Sequence, residues 1–303
     1  MNKNDVYEVI VIGGSYAGLS AALSLGRSLR KTLIIDSGTP CNKKAPSAHN
    51  FITYDGSRPS LILEKTQEQL KKYETIRQLN DKVTAVKKAR NSFKIITENK
   101  KEFNAAKILF CTGVNDCMPN LAGFEDCWGK SILHCPYCHG YEIKNESAGI
   151  MANGDAAFEL AKTIQHWTKK LTVFTNGTST LNPEQTKKLE SINIKIAESE
   201  IKEIEHENGY IKSIIFNDYT SKSTNALFVA LPFIQQCDIP EKLGCEFTEN
   251  RFIQIDKHLE TSVKGIYAAG DCTSLFRSIA NAVMMGNKAG ATINKQLIED
   301  AFK

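Results

Sequence analysis

The chain has 303 residues, of which 42% are hydrophobic and 24% charged, and its formal net charge is +4. This profile is typical of a globular protein of two domains, and no apolar run approaches the roughly 18 residues that cross a bilayer. Its lysines occur as scattered pairs rather than on one basic face, which argues against nucleic-acid binding. The N-terminal segment lacks the long apolar stretch of a secretory signal, so we expect a cytoplasmic protein.

The N-terminal part of the chain has the pattern of a βαβ unit. Tyr7–Ile12 is a short apolar run rich in β-branched residues, typical of a buried parallel strand, and a glycine pair follows it. Ala17 to about Ser28 is rich in Ala, Leu and Gly and predicts a close-packed helix. Lys31–Asp36 predicts a second strand that ends in an acid. Strand, glycine turn, helix and strand together form the expected unit.

A long loop, Ser37–Arg58, separates this unit from a predicted helix over Ser60–Tyr73. Three further strands are predicted at Val83–Lys88, Phe93–Thr97 and Ile108–Cys111. They complete the first half of the chain.

The βαβ pattern then recurs. Ala148–Met151 predicts a strand, Ala156–Trp167 a helix and Leu171–Thr175 a strand. The last part, Gly265–Asp271 followed by a helix from about Phe276 to Leu297, has no nucleotide turn of its own and is expected to complete the first domain. The recurrence predicts an α/β protein with two Rossmann-like nucleotide-binding domains.

The first glycine loop departs from G-x-G-x-x-G at one position. Gly13 suits the tight turn, Ser15 is small enough to let backbone approach a pyrophosphate, and Gly18 permits close helix–strand packing. The helix N-terminus supplies donors and a favourable dipole for phosphates. Asp36 lies about 20 residues on, where a carboxylate would hold a ribose hydroxyl.

The second glycine loop is altered. Ala152 occupies the position of the turn glycine, where a Cβ would be costly if a positive φ were needed, while Gly154 and Ala157 are kept. Neither an arginine pair nor an acid follows the next strand at Val173–Gly177, so no side chain there is suited to gripping NADPH or NADH. The pattern indicates the fold of a nicotinamide domain but leaves NAD(P)H binding open.

Cys135 and Cys138 are the only pair at CxxC spacing among nine cysteines. A zinc half-site, an inert disulfide and a redox centre all fit the pair itself, although neighbouring Cys and His residues lack common zinc spacing. A redox pair forms a reversible disulfide and favours a thiolate near neutral pH. His139 adjoins it and is suited to take or return a proton. Cys117 and Cys127 could form a second pair, but their spacing does not require it.

Four motifs in order carry a family resemblance: VIGGSYAGLSAA near the N-terminus, CTG at 111–113, the CxxC at 135–138 and GIYAAGDCTSLFRSIANA at 265–282. The chain resembles the low-molecular-weight thioredoxin reductases along essentially its whole length. The segment HCPYCHGYE is closer still to the gliotoxin- and holomycin-type dithiol oxidases. The chain departs from typical thioredoxin reductases in three respects. It lacks the basic residues that bind NADPH, its second glycine loop is altered, and His139 takes the place of an acid.

The resemblance implies an FAD-binding domain made of residues 1–115 and 242–303, an inserted NAD(P)H-type domain at 116–241, and a homodimer. FAD would lie along the first glycine loop, with Asp36 at the adenosine ribose, Asp271 at the ribityl chain and further contacts at the adenine and the flavin. The implied cofactor-binding residues are Gly13, Gly14, Ser15, Tyr16, Ala17, Gly18, Asp36, Asn42, His49, Asn50, Val83, Thr112, Gly113, Asp271, Arg277, Ser278 and Ile279.

By the same resemblance, Cys138 faces the flavin, Cys135 exchanges with substrate, and His139 completes the catalytic set. The implied activity is FAD-dependent thiol–disulfide exchange with a thioredoxin-like protein or a small dithiol or disulfide. Electrons could enter from NAD(P)H or another donor such as ferredoxin, or leave a dithiol for oxygen. A non-catalytic flavin- or zinc-binding regulatory protein is the alternative from another class.

Overall fold

A computed structural model of the protein describes residues 6–303; residues 1–5, on which part of the N-terminal expectation rests, lie outside the described residues. The described chain forms two compact units. The first contains the described residues up to Lys43, Ser60–Asn115 and Phe233–Lys303, and the second contains Lys44–Pro59 and Asp116–Pro232. None of the helices within 6–303 combines the length and apolar character that crossing a membrane requires.

The connections between helices and strands differ in length, and the two longest are residues 37–58 and 243–265. Up to residue 116 they are β1 (Val6–Ile12), α1 (Tyr16–Arg27), β2 (Thr32–Asp36), α2 (Pro59–Leu70), β3 (Ile76–Asn80), β4 (Val83–Lys88), β5 (Phe93–Thr97), β6 (Glu102–Phe110) and β7 (Val114–Asp116). Up to residue 229 they are α3 (Phe124–Cys127), β8 (Ile132–Leu133), α4 (Pro136–His139), β9 (Ala148–Met151), α5 (Gly154–Ile164), β10 (Leu171–Phe174), α6 (Pro183–Ser191), β11 (Lys195–Ala197), β12 (Ile201–Glu207), β13 (Tyr210–Phe216), β14 (Ser221–Ser223) and β15 (Ala226–Val229). The last are β16 (Phe233–Gln235), α7 (Ile239–Lys242), β17 (Ile266–Ala268) and α8 (Ile279–Ala301).

The first unit is built on one large sheet. Its strand order is β3-β2-β1-β6-β5-β4, and β17 also pairs with β6. Strands β3, β2, β1, β6 and β17 are parallel, while β5 and β4 continue antiparallel. The apolar run of β1 is buried from Val9 to Ile12, as a central parallel strand requires. The predicted first βαβ unit is confirmed.

The second unit contains a five-stranded parallel sheet in the order β11-β10-β9-β15-β8 and a three-stranded antiparallel sheet, β12-β13-β14. Strands β9 and β10 pair in parallel with α5 between them, which confirms the second βαβ unit. The prediction of an α/β protein with two Rossmann-like units is therefore confirmed.

Strand register brings the functional loops to one edge of each parallel sheet. In the first unit Ile12 lies opposite both Ile35 and Phe110, so the residues that follow these three strands meet at the carboxyl edge. In the second unit Met151 lies opposite Phe174 and opposite Val229. This edge is where parallel α/β sheets bind ligands.

Candidate active site

The two cysteines of the CxxC motif form a disulfide with their Cα atoms 5.3 Å apart. Pro136 starts the short helix α4, where its fixed φ suits the first helical position. Cys135 is the N-cap of this helix, and its Sγ accepts a hydrogen bond of 3.2 Å from the backbone N–H of Cys138. This hydrogen bond fixes the Cys135 sulfur at the first turn of the helix.

Aromatic side chains pack around α4, the helix that carries the two cysteines. The ring of Tyr137 meets Trp167 edge to face at 5.7 Å between centroids. A Cβ at Gly140 would lie 2.7 Å from the Trp167 ring, so the indole packs directly on the backbone that follows the cysteines. Tyr137 and Tyr141 remain 70% and 68% exposed. The helix therefore presents a partly aromatic surface beside its disulfide.

His139 lies at the C-terminal end of α4 in a partly buried position. Burial lowers the pKa of its imidazole, Glu142 opposes this by raising that pKa, and His49 lowers it further. A lowered pKa keeps the imidazole neutral near pH 7, in the form that accepts a proton. Its position next to Cys138 in the chain suits a general base for thiol exchange.

His49, predicted from the resemblance as a flavin-loop residue, lies against this cluster in the second unit. Its Nε2 is 3.5 Å from Glu142 Oε1, its Nδ1 is 3.8 Å from Asp55 Oδ1, and its ring meets that of His139 at 6.3 Å. Asn50 adopts a positive φ of 58°, and its N–H donates to Asp55 Oδ1 at 2.7 Å. Glu142 follows the cysteine pair closely in the sequence, but no motif indicates that His49 lies near it.

The first glycine loop connects β1 to α1 through a tight turn. Gly13 has a φ of 105°, and a Cβ there would overlap the carbonyl oxygen of Cys111. The N–H of Gly14 donates to Asp36 Oδ1 at 2.9 Å, which fixes the carboxylate beside the loop. Ser15 is the N-cap of α1 but makes no side-chain capping hydrogen bond. Tyr16, Ala17 and Gly18 are buried.

Two further groups border this loop. Asn42 donates from its amide to the Tyr16 hydroxyl at 3.2 Å, while the buried Asn42 Oδ1 finds no hydrogen-bond partner within residues 6–303. Burial raises the pKa of Tyr16. At the end of β6, Gly113 has a φ of 67°. Val83 is a core residue at the start of β4, buried in the first unit.

The start of α8 carries the remaining residues predicted to face the flavin. Ser278 caps the helix by accepting from the N–H of Asn281 at 3.1 Å, and Ile279 is the first helical residue. Arg277 Nε lies 3.7 Å from Asp271 Oδ2, with both side chains mostly buried. A capped 23-residue helix places its positive end at this point.

The second glycine loop has a different arrangement. Asn153 caps α5, and its Oδ1 accepts from both Gly154 N at 2.9 Å and Thr180 N at 2.8 Å. Its Nδ2 donates to Thr178 O at 2.9 Å. The positive φ of this loop, 55°, falls on Gly154 and not on Ala152, so the expected cost of a Cβ at Ala152 does not arise. The sequence analysis missed Asn153, although an Asn before a helix is a strong capping signal.

Within residues 6–303, the other seven cysteines form no disulfide. Cys117 is exposed and Cys127 is buried, and they are not bonded to each other. Burial raises the pKa of Cys127, Cys237 and Cys272, that of Cys272 to about 12. Such thiols stay protonated near neutral pH. Among residues 6–303, disulfide bonding is therefore confined to the CxxC pair.

Comparison with known families decides the class of this arrangement. Residues 7–286 match the model of the pyridine nucleotide-disulphide oxidoreductases. The chain belongs to this family.

Among relatives, the chain is 32% identical to "Thioredoxin reductase sirT" of Leptosphaeria maculans, over 97% of this chain and 95% of that protein. It is 30% identical to "Thioredoxin reductase tcpT" of Claviceps purpurea, over 99% and 97%. The solved structure of HlmI superposes with a TM-score of 0.93 at 26% identity, covering 98% of this chain and 94% of that one. These findings confirm the resemblance to thioredoxin reductase-like oxidoreductases.

This disulfide oxidoreductase belongs to a family of FAD flavoproteins, and its first glycine loop fits that cofactor. The uncapped start of α1 is buried, which is unfavourable unless another acceptor satisfies its backbone donors. A diphosphate is such an acceptor. The buried Asn42 Oδ1 accepts no hydrogen bond within residues 6–303, which leaves it available to a hydroxyl or ring N–H donor of such a cofactor. The second loop has no comparable opening, because Asn153 occupies its helix start.

Proposed function

We propose that this oxidoreductase takes electrons from a dithiol and passes them through FAD to oxygen, without using a nicotinamide as donor. The observation that carries the proposal is Asn153, which caps α5 and ties it to the 178–180 loop. A dinucleotide pyrophosphate would need the same helix N-terminus. No charged residue occurs between Thr175 and Thr180 to hold a ribose or a 2′-phosphate.

We further propose that FAD is held in the first unit. Gly13 to Gly18 would bind the diphosphate, Asp36 the adenosine ribose, and Asp271 the ribityl chain. The remaining proposed contacts in this unit are Asn42, Val83, Thr112, Gly113, Arg277, Ser278 and Ile279, while His49 and Asn50, which the resemblance also implied, belong to the second unit. The domain roles follow: residues 1–115 and 242–303 for FAD, and 116–241 for the NAD(P)H-type domain with the CxxC.

The proposed catalytic set is Cys135, Cys138 and His139. Cys135, at the start of α4 and beside the exposed Tyr137, receives the substrate sulfur, and Cys138 leaves as the thiolate. His139 in its neutral form takes the proton of the incoming thiol. When bound, FAD supplies a two-electron acceptor that returns the cysteine pair to the disulfide.

The proposed substrate is a small dithiol, for which the exposed Tyr137 and Tyr141 offer aromatic surface. A homodimer and a cytoplasmic location complete the proposal. Seven of the nine cysteines form no disulfide within residues 6–303, which supports a reducing compartment.

The competing direction is reduction of a thioredoxin-like protein, with NAD(P)H or another donor such as ferredoxin supplying electrons. The names of the sirT and tcpT relatives, both called thioredoxin reductases, favour it. The two directions differ in which reagent supplies electrons, so they can be separated with the purified flavoprotein.

The test is oxygen uptake after dithiothreitol is added to the aerobic flavoprotein, with peroxide measured in parallel. We expect one peroxide for each dithiol oxidised, because a two-electron oxidation of a dithiol matches a two-electron reduction of oxygen. Cys135→Ser should abolish the uptake, whereas Cys117→Ser, which alters an exposed free thiol, should retain it. Uptake that persists in Cys135→Ser would contradict the proposal.

A further inference from the structure

Two histidines, rather than one, lie at the redox centre. His139 ends the helix that carries the disulfide, and His49 reaches the same place from the loop between Lys44 and Pro59. Their rings meet edge to face at 6.3 Å. Glu142 lies 3.5 Å from His49 Nε2 and electrostatically affects His139 as well. The three side chains form one interacting cluster beside Cys138.

The proton balance of the proposed exchange requires a base close to Cys138. One thiol of the substrate loses its proton, its sulfur bonds to Cys135, and the Cys135–Cys138 bond breaks to leave a thiolate on Cys138. The second thiol then loses its proton, its sulfur bonds to the first substrate sulfur, and the bond to Cys135 breaks. Two electrons have entered the cysteine pair and two protons have left the substrate. Cys135 takes one proton, so a nearby base must hold the other while Cys138 stays a thiolate.

We propose that His49, held against Glu142, is a positioning residue that acts through His139 and controls when that imidazole accepts the proton released by a dithiol. The proposal rests on the proposed thiol–disulfide exchange at Cys135 and Cys138. It differs from the flavin contact that the resemblance implied for His49.

The charges that face the two imidazoles have opposite effects. A cationic His49 disfavours a second positive charge on His139, while the Glu142 carboxylate favours it. Asp55 Oδ1 lies 3.8 Å from the other nitrogen of His49, so carboxylates face both nitrogens of this ring. Removing His49 should therefore raise the pKa of His139, and neutralising Glu142 should lower it. A purely structural role predicts no such opposition.

The test follows the rate of flavin reduction by dithiothreitol, anaerobically and as a function of pH, in the parent, His49→Gln and Glu142→Gln flavoproteins. Dividing each variant's rate by the parent's rate at the same pH cancels the pH dependence that arises from the ionisation of dithiothreitol. We expect the acidic limb to move up by roughly half to one pH unit in His49→Gln and down by a similar amount in Glu142→Gln.

His206→Gln is the matched control. His206 pairs with Asp126 at the same 3.5 Å, and its side chain is 24% exposed against 21% for His49, but it lies on β12 in the three-stranded sheet. Its pH profile should match the parent's. Glu142 is 41% exposed, so Glu142→Gln should fold and provides a signed result even if His49→Gln does not.

The outcomes separate this inference from the function on which it rests. If dithiothreitol fails to reduce the parent flavin, the proposed function is wrong. If it reduces the parent but a folded His49→Gln leaves the acidic limb unmoved or moves it downward, or Glu142→Gln leaves it unmoved or moves it upward, the role of the His49–Glu142 pair is wrong and the proposed function stands.

Discussion

The chain contains the same strand–turn–helix arrangement twice. A side chain caps the helix N-terminus in the second arrangement but not in the first. After β1, Ser15 makes no capping bond, and the carboxylate of Asp36 is fixed beside the loop by Gly14. After β9, Asn153 caps α5 and binds the loop at 178–180. A Rossmann-like unit can thus keep its sheet and helix while one side chain takes the place of a phosphate.

The largest expected effect comes from the turn glycine of the first loop. Gly13→Ala should remove bound FAD from the purified protein and lower the free energy of unfolding by about 2–4 kcal/mol, because a Cβ there would overlap the Cys111 carbonyl at a positive φ. Flavin absorbance per chain and urea unfolding measure both. The matched change in the second loop, Ala152→Gly, should alter stability by less than about 1 kcal/mol and leave the flavin in place. Full flavin content in Gly13→Ala would contradict the claim that the first loop, unlike the second, holds the cofactor.

A substitution of Asp36, the last residue of β2, is expected to have a smaller effect on FAD binding. Asp36→Asn should raise the Kd for FAD about tenfold, since the charge that supports a ribose hydroxyl is lost while the side chain keeps its size. Fluorescence titration of the stripped protein with FAD gives the Kd. The equivalent position after β10 is Thr175, and Thr175→Ala should leave the FAD affinity unchanged. Equal losses in both variants would mean that neither site is specific.

The cap of the second loop has the smallest effect. Asn153→Ala should lower the free energy of unfolding by about 1 kcal/mol, because the α5 cap and the anchor of the 178–180 loop are both lost. Ser15→Ala should cost only a few tenths of that in the flavoprotein, since no capping bond is removed. Chemical denaturation of both variants checks the difference, and a larger cost for Ser15→Ala would reverse it.

Elements with a strong apolar pattern could be predicted from the sequence, and polar ones could not. Both βαβ units, including β1 and β9, were found because buried parallel strands are continuous apolar runs. The edge strand β3, with the sequence IRQLN, and the charged strand β12 were missed, since their exposed faces dilute the signal. Their pairing comes from tertiary contacts with neighbouring strands.

The candidate site divides in the same way. Cys135, Cys138 and His139 lie together in the chain, so their spacing sufficed to predict a cluster. His49 joins them from 90 residues away, and no local pattern indicates that it would meet Glu142. Asn153 was predictable as a helix cap from its position before α5. The expectation rested instead on Ala152, which departs from the glycine motif, although the positive φ falls on Gly154.

The most direct test is an anaerobic titration of the flavoprotein with NADPH, NADH and dithiothreitol in turn, followed by flavin absorbance. We predict that dithiothreitol bleaches the flavin, that admitting air restores it, and that micromolar NADPH or NADH leaves it unchanged. Bleaching by micromolar NADPH or NADH would show that the Asn153-capped loop still binds a nicotinamide, and it would contradict the account.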